Sequence, residues 1–221
     1  MFTRSQAQSK SPAQLEKTHV NHVQQCFDWD CGLACVAMVL CSVGVTRASL
    51  PILHAMASSR SIWTIDLAVL LRHFGVDVSL FTTTLGVDPS YAHEAFYADA
   101  LPEDGLRVER LFRDARGLGI RVEQRSLSAD ELRRCVLSGE FLVVALVDNR
   151  VLRGSTSSRA GDALRGYGGH YVLLCGYNAE RRAFVLLDPA LAIGLHFVSE
   201  TTLDEARKAF GTDEDLILVK S

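Results

Sequence analysis

The stretch Gln25-Cys26-Phe27-Asp28-Trp29-Asp30-Cys31-Gly32-Leu33-Ala34-Cys35 holds the most chemically suggestive residues in the chain. Cys31 directly precedes an apolar run of helical character, which puts its sulfur at a helix N-terminus. Unpaired N–H groups and the helix dipole favour the thiolate there, and the thiolate is the nucleophilic form. Gln25 lies upstream with a side-chain amide able to donate to a developing oxyanion. Gly32 leaves the backbone open to close approach by a substrate. Taken alone, Cys31 reads far more readily as the first buried residue of a core helix. Asp28 and Asp30 oppose activation, because acidic neighbours raise a thiol pKa unless their charges point away or cap the helix. Asp30 stands at the expected N-cap.

Further along, His170 follows Gly168-Gly169 at the start of an apolar strand, and Asp188 ends the next strand in Leu186-Leu187-Asp188-Pro189. An antiparallel hairpin of these strands brings both groups to one edge. Asp188 would then orient His170 and favour its imidazolium, while His170 takes the proton of Cys31. Singly, a surface histidine and a turn aspartate before proline are the ordinary alternatives. Trp29, Gly32 and Gly169 are the candidate substrate contacts. Trp29 and Trp63 read either as cleft walls or as core and rim residues. His54, His73, His93 and His196 have no partner in the pattern and read as structural.

Composition narrows the setting for this chemistry. The chain has 221 residues, 48% hydrophobic and 22% charged, with 23 basic against 26 acidic residues and a net charge of −3. That is an ordinary globular mix, long enough to bury a core without disulfides or metal. The balanced charge argues against a nucleic-acid binder. No run reaches the ~20 predominantly apolar residues of a membrane span, and the polar N-terminus lacks the apolar stretch of a secretory signal. The expected setting is the cytoplasm, with no membrane or nucleic-acid partner. There the six cysteines are thiols. Cys31-x₃-Cys35 has metal-ligand spacing but no complementary pair elsewhere, so no metal site is expected.

The elements that must position the site follow from periodicity. Residues 1–18 read as a flexible tail and 19–221 as one domain. Helices are expected over 31–43, 47–56 and 64–74, in a segment around 109–115, and over 202–210. A further short helix opens at Ser128, where Ser128 and Glu131 form a capping box. Strands are expected over 76–81, 120–124, 141–147, 171–176, 183–187, 194–198 and 216–219. Residues 86–100 give no clear pattern. Helices come first and most strands later, which predicts an α+β fold with an N-terminal helical part packed on a C-terminal, mostly antiparallel sheet. Residues 149–169 form a long polar and basic loop, long enough to be a lid or binding loop or an unstructured insertion.

Gln25-x₅-Cys31-Gly32, Gly169-His170-Tyr171-Val172 and Asp188-Pro189 together resemble the papain-like core of the bacteriocin-processing (double-glycine leader) peptidases. The likeness runs from about Gln25 to the C-terminus. His170 follows Cys31 by 139 residues, within the papain-type spacing of ~130–150. Longer blocks resemble the guanylyl cyclase domain-containing protein family of plants, animals and protists. These are Trp29 through Cys35, Gly169 through Tyr177, and the Asp188-Pro189 pair.

The peptidase likeness implies a papain-like fold with Cys31 as nucleophile, His170 as general base, Asp188 as orienter and Gln25 as oxyanion donor. Its reaction would be hydrolysis or transfer at a peptide or isopeptide bond of a peptide or protein substrate, without a cofactor. The cyclase likeness implies conversion of GTP to cyclic GMP, with Mg or Mn accompanying the nucleotide. A cyclase stabilises triphosphate charge with carboxylate-held metals or clustered arginine and lysine, and the chain has neither a Gly-x₄-Gly-Lys-Ser/Thr loop nor a Gly-x-Gly-x-x-Gly turn. Asp148, Asp188 and the loop arginines Arg150, Arg153, Arg159 and Arg165 are the residues that would serve. A cyclase has no evident use for Cys, His and Asp in this order. The expected function is therefore a thiol hydrolase or transferase. Guanylyl cyclase activity is the alternative, and a non-catalytic binding module on the same fold is the second alternative.

Overall fold

The computed structural model describes residues 20–93, 101–154 and 167–220. The expected tail and most of the long basic loop, with Arg159 and Arg165, lie outside the described residues.

The first helix, α1 (Cys31–Ser42), is buried continuously from Cys31 to Leu40 and carries no charge in its first or last turn. A helix apolar all round belongs in the centre of a protein, and α1 lies there. Gly44 ends it with a φ of +84°, a conformation that costs glycine nothing. The second helix, α2 (Leu50–Met56), begins three residues later than periodicity suggests. Pro51 is the reason, since proline is tolerated only in the first turn of a helix. The third, α3 (Thr64–His73), matches its pattern and stops before Gly75. A single 3₁₀ turn follows at Pro89–His93.

The next helix, α4 (Leu101–Asp114), is far longer than its recognisable part. Pro102 and Gly105 obscure the pattern at its start, where Asp104 and Val108 are nevertheless buried. Next, α5 (Ala129–Leu137) starts with the expected reciprocal capping box of Ser128 and Glu131. The backbone after Asp148 turns once as α6 (Asn149–Leu152), and α7 (Glu200–Arg207) is the last helix.

Seven strands form one sheet: β1 (Val78–Thr82), β2 (Arg121–Gln124), β3 (Phe141–Asp148), β4 (Gly169–Asn178), β5 (Ala183–Leu187), β6 (Leu195–Ser199) and β7 (Leu216–Lys220). Their order is β2-β1-β7-β3-β4-β5-β6. Only β1 and β2 pair in parallel; the other pairs are antiparallel. The mostly antiparallel α+β architecture is as expected.

The expected segregation of helices from strands is corrected. The early strand β1 pairs with the C-terminal β7, so the sheet draws on both ends of the chain. Helices also cover both faces. Leu142, Val144, Leu146, Tyr171 and Leu173 join α1, α3 and α4 in one core. Val143, Ala145, Val147, Val172 and Leu174 join α5 and α7 in the other. The alternation of side chains along a strand produces these two cores. It explains why β3 and β4 read as unbroken apolar runs: both of their faces are covered. No helix among the described residues is long and apolar enough to cross a membrane.

Candidate functional site

Cys31 is the first residue of α1, and α1 packs on β4, the strand that carries His170. Strand β4 is held on both sides. Val147 pairs with His170 across β3, and Leu173 pairs with Leu187 across β5. The hairpin of β4 and β5 therefore sets Asp188, just beyond β5, beside His170. This is the arrangement expected from the strand ends.

The three side chains lie together. His170 Nε2 donates to Asp188 Oδ1 at 2.7 Å, and the Cys31 thiol acts on the same ring and favours its charged form. With Nε2 committed to Asp188, the nitrogen available to take the thiol proton is Nδ1. The Tyr171 N–H donates to Cys31 Sγ at 3.5 Å. Burial opposes the charged form of His170, but its hydrogen bond to Asp188, the nearby Cys31 and their negative charges outweigh this and raise its pKa to about 9.

Asp188 is well supported. Burial pushes its pKa up, yet the hydrogen bond and charge of His170, the Ala190 N–H and Arg153 bring the balance below the ordinary value. The Ala190 N–H donates to Oδ1 at 2.9 Å, and the Arg153 guanidinium donates to Oδ2 at 3.2 Å. His22 Nε2 donates to the Asp188 carbonyl at 2.9 Å, and the Gln25 N–H donates to the Pro189 carbonyl at 2.9 Å. The segment before α1 thus clasps the loop that bears the acid.

Asp30 occupies the expected N-cap position, but its carboxylate faces elsewhere. Its side chain makes no capping bond to α1. The carboxylate is fully buried and accepts from the Cys26 N–H at 3.1 Å, the Phe27 N–H at 3.0 Å and His54 Nε2 at 2.8 Å. Its charge is spent on a tight turn and on His54, which relieves the opposition to a reactive Cys31. His54, expected to be partnerless, is the anchor of this turn. The turn also stacks Phe27 on Trp29, with centroids 5.8 Å apart.

Gln25 lies in the same neighbourhood, but its Nε2 donates to the Phe27 carbonyl at 2.6 Å. The amide nitrogen carries a second N–H, so this bond does not by itself prevent donation to an oxyanion. Gly32 serves a different purpose from the one expected. A Cβ there would lie 2.8 Å from Leu67 Cδ1 and 3.0 Å from Tyr171 Cδ2, so the glycine permits close packing of α1 on α3 and β4. Gly32→Ala is expected to destabilise the fold by about 1–3 kcal/mol, the usual cost of overpacking. A shift of the urea midpoint would measure it, and an unchanged midpoint would contradict this packing role.

A cavity of about 380 Å³ opens beside Cys31. Trp29, Trp63, Gly169, Asp213 and Asp215 help to line it. Two of the expected substrate contacts, Trp29 and Gly169, are therefore wall residues, and Gly32 is not among the lining residues. Trp63 is held rigidly, with Nε1 donating to Asp104 Oδ2 at 2.8 Å. Arg60 and Asp28 stand at the same cavity.

Asp213 and Asp215 were not legible as site residues, because nothing in Gly211-Thr212-Asp213-Glu214-Asp215 repeats a chemical motif. Nor did any pattern pair Arg153 with Asp188. Among the other cyclase candidates, Asp148 is committed to the N–H of Arg150 at 2.9 Å and to the Arg150 guanidinium. Cys35 is fully buried in the core, and burial pushes its thiol well above the ordinary value. Among the described residues, no three His, Cys, Asp or Glu side chains converge as a metal-binding group.

Comparison with known proteins adds two findings. A family model described as guanylylate cyclase matches residues 20–219. "Guanylyl cyclase 1" of Arabidopsis thaliana is 45% identical over 205 residues, a match covering 90% of this chain and 75% of that protein.

Proposed function

This chain belongs to the guanylylate cyclase family, and we propose that its activity resides at Cys31, His170 and Asp188 and is that of a papain-like thiol hydrolase or transferase. The observation that carries this reading is the imidazole–carboxylate hydrogen bond, with the Cys31 thiol acting on the same ring at the edge of the cavity. In the reaction, Cys31 gives its proton to His170 and the thiolate attacks a carbonyl carbon of a peptide or isopeptide bond. The tetrahedral intermediate collapses as His170 protonates the leaving amine, and a thioester remains. Water, deprotonated by His170, hydrolyses the thioester, releases the acid and restores the thiol. Asp188 holds the ring in orientation and stabilises its charged form. Arg153 and the Ala190 N–H keep that carboxylate ionised.

The comparisons favour a second reading, the guanylyl cyclase activity in the relative's name. The cavity bears on it in two ways. Its lining holds Arg60 with Asp28, Asp213 and Asp215, a single cationic side chain to meet a triphosphate. A metal accompanying GTP would need carboxylate ligands, and the residues present do not fit that role well. Asp213 Oδ1 already accepts from the Tyr91 hydroxyl at 2.6 Å, and burial raises the pKa of both Asp213 and Asp215.

One preparation tests both readings. Wild type, Cys31→Ala and Asp188→Asn are assayed on a library of fluorogenic peptidyl and isopeptidyl amides, and with GTP plus Mg²⁺ or Mn²⁺ by mass spectrometry of cyclic GMP. The thiol reading expects amide turnover that falls by at least about 10³-fold in Cys31→Ala. Cyclic GMP formation that is insensitive to Cys31→Ala, with no amide turnover, would replace it by the cyclase reading.

A further inference from the structure

The floor of the cavity carries an acid that the triad does not use. Asp215 is 6% exposed, lines the cavity, and has an Oδ1 with no hydrogen-bond partner. Thr64 and Thr82 act on its carboxyl from nearby, while their hydroxyls bond to the Tyr171 hydroxyl and the Thr84 carbonyl. An unsatisfied buried carboxylate oxygen is costly, and natural proteins keep one only where something else supplies the donor.

The backbone is also arranged to present this floor. Asp213 and Glu214 both adopt left-handed φ values, +48° and +54°, which non-glycine residues seldom occupy. The Thr83 N–H and hydroxyl donate to the Asp213 carbonyl at 2.8 Å and 3.0 Å. The Leu146 N–H donates to the Asp215 carbonyl at 3.1 Å. These bonds fix the strained turn between β1 and β3 and place both carboxylates at the cavity.

The chemistry of the lining selects the ligand. Oδ1 lacks a donor, and the lining sets three aspartates against Arg60, a set richer in acceptors than in cationic donors. The walls are the indoles of Trp29 and Trp63, surfaces that suit a flat, delocalised group. A carboxylate is best matched by two parallel N–H donors.

We propose that Asp215, with Asp213 beside it, is a recognition subsite for a planar group bearing paired N–H donors, presented either by a guanidinium side chain or by the edge of a guanine. This rests on the cavity being the substrate site of the proposed function. The first N–H completes Asp215 Oδ1, and the second is accepted on the same acidic floor. Bound there, such a group brings the rest of its molecule to the mouth where Cys31 and Gly169 stand. The subsite thus supplies specificity, and the triad supplies chemistry.

Calorimetric titration of the full chain with agmatine, guanosine, inosine and MnCl₂ alone tests this. Saturable binding of agmatine or guanosine is expected, weakened by about tenfold or more in Asp215→Asn and less in Asp213→Asn. Binding of agmatine alone assigns the guanidinium source. Guanosine bound about tenfold tighter than inosine, which lacks the exocyclic amine, assigns the purine source. The titration reads binding and not turnover, so an inactive thiol leaves this result standing. Failure of both organic ligands, equal binding by both aspartate variants, or saturation by Mn²⁺ only would overturn the subsite. Cys31 chemistry measured on amide substrates would be untouched by that failure.

Discussion

In the His170→Ala variant, alkylation of Cys31 by iodoacetamide at pH 7 falls by about 10²-fold relative to wild type. In the wild type the imidazolium persists to about pH 9, and its positive charge lies beside the sulfur. Removing the ring takes that charge away and leaves Asp188, whose own charge opposes a thiolate. The other cysteines provide the contrast within one molecule. Burial pushes the thiols of Cys35, Cys135 and Cys175 up, while Cys26 is exposed and serves as the accessibility reference. Mass spectrometry of the tryptic peptides reads all six cysteines at once, and equal labelling of all six in the wild type would refute the activated thiol. The same ring contributes to stability. Its folded pKa exceeds its unfolded value, so its contribution is complete below about pH 6.5 and is lost as pH rises to about 9.

The second large effect belongs to Asp215. Burial, and then the charge of Asp213, push its carboxyl to about 7. A raised acid binds a proton more tightly in the folded state than in the unfolded one. Its contribution thus favours folding at low pH and turns into a penalty as pH rises from about 4 through 7. Asp215→Asn keeps the shape and removes the titration. The variant should be more stable than wild type by about 2–4 kcal/mol at pH 8, at roughly 1.4 kcal/mol per pKa unit, and the gain should vanish near pH 4. Urea denaturation at a series of pH values measures it. A difference between the two proteins that does not vary with pH would show that Asp215 is not held in this state. A stabilising substitution that weakens ligand binding is the signature of a site kept for function at the expense of stability.

Much of the site was legible because its members sit at element boundaries that leave marks in sequence. Cys31 opens an apolar helix, His170 follows a glycine pair at a strand start, and Asp188 precedes a proline at a strand end. The apolar runs of β3, β4 and β5 announced strands buried on both faces. The boundaries of α2 and α4 were less legible, since Pro51, Pro102 and Gly105 break the periodic signal without breaking the helices. The parallel partnership of β1 and β2 was invisible, because strand order is a long-range choice that local propensity does not encode.

The sequence by itself determined the chemical types and their place on the elements: one thiol at a helix start, one imidazole and one acid at neighbouring strand ends. It also determined which segments had to be buried, since apolar periodicity is a local property of the chain. Only the tertiary structure decided what each polar group faces. It turned Asp30 onto its own turn and His54, set Gly32 against Leu67 and Tyr171, gave Arg153 to Asp188, and left one oxygen of Asp215 without a partner at the cavity. Those outcomes depend on contacts between residues far apart in the chain, where burial and competing donors act together. Residue type alone does not rank such partners.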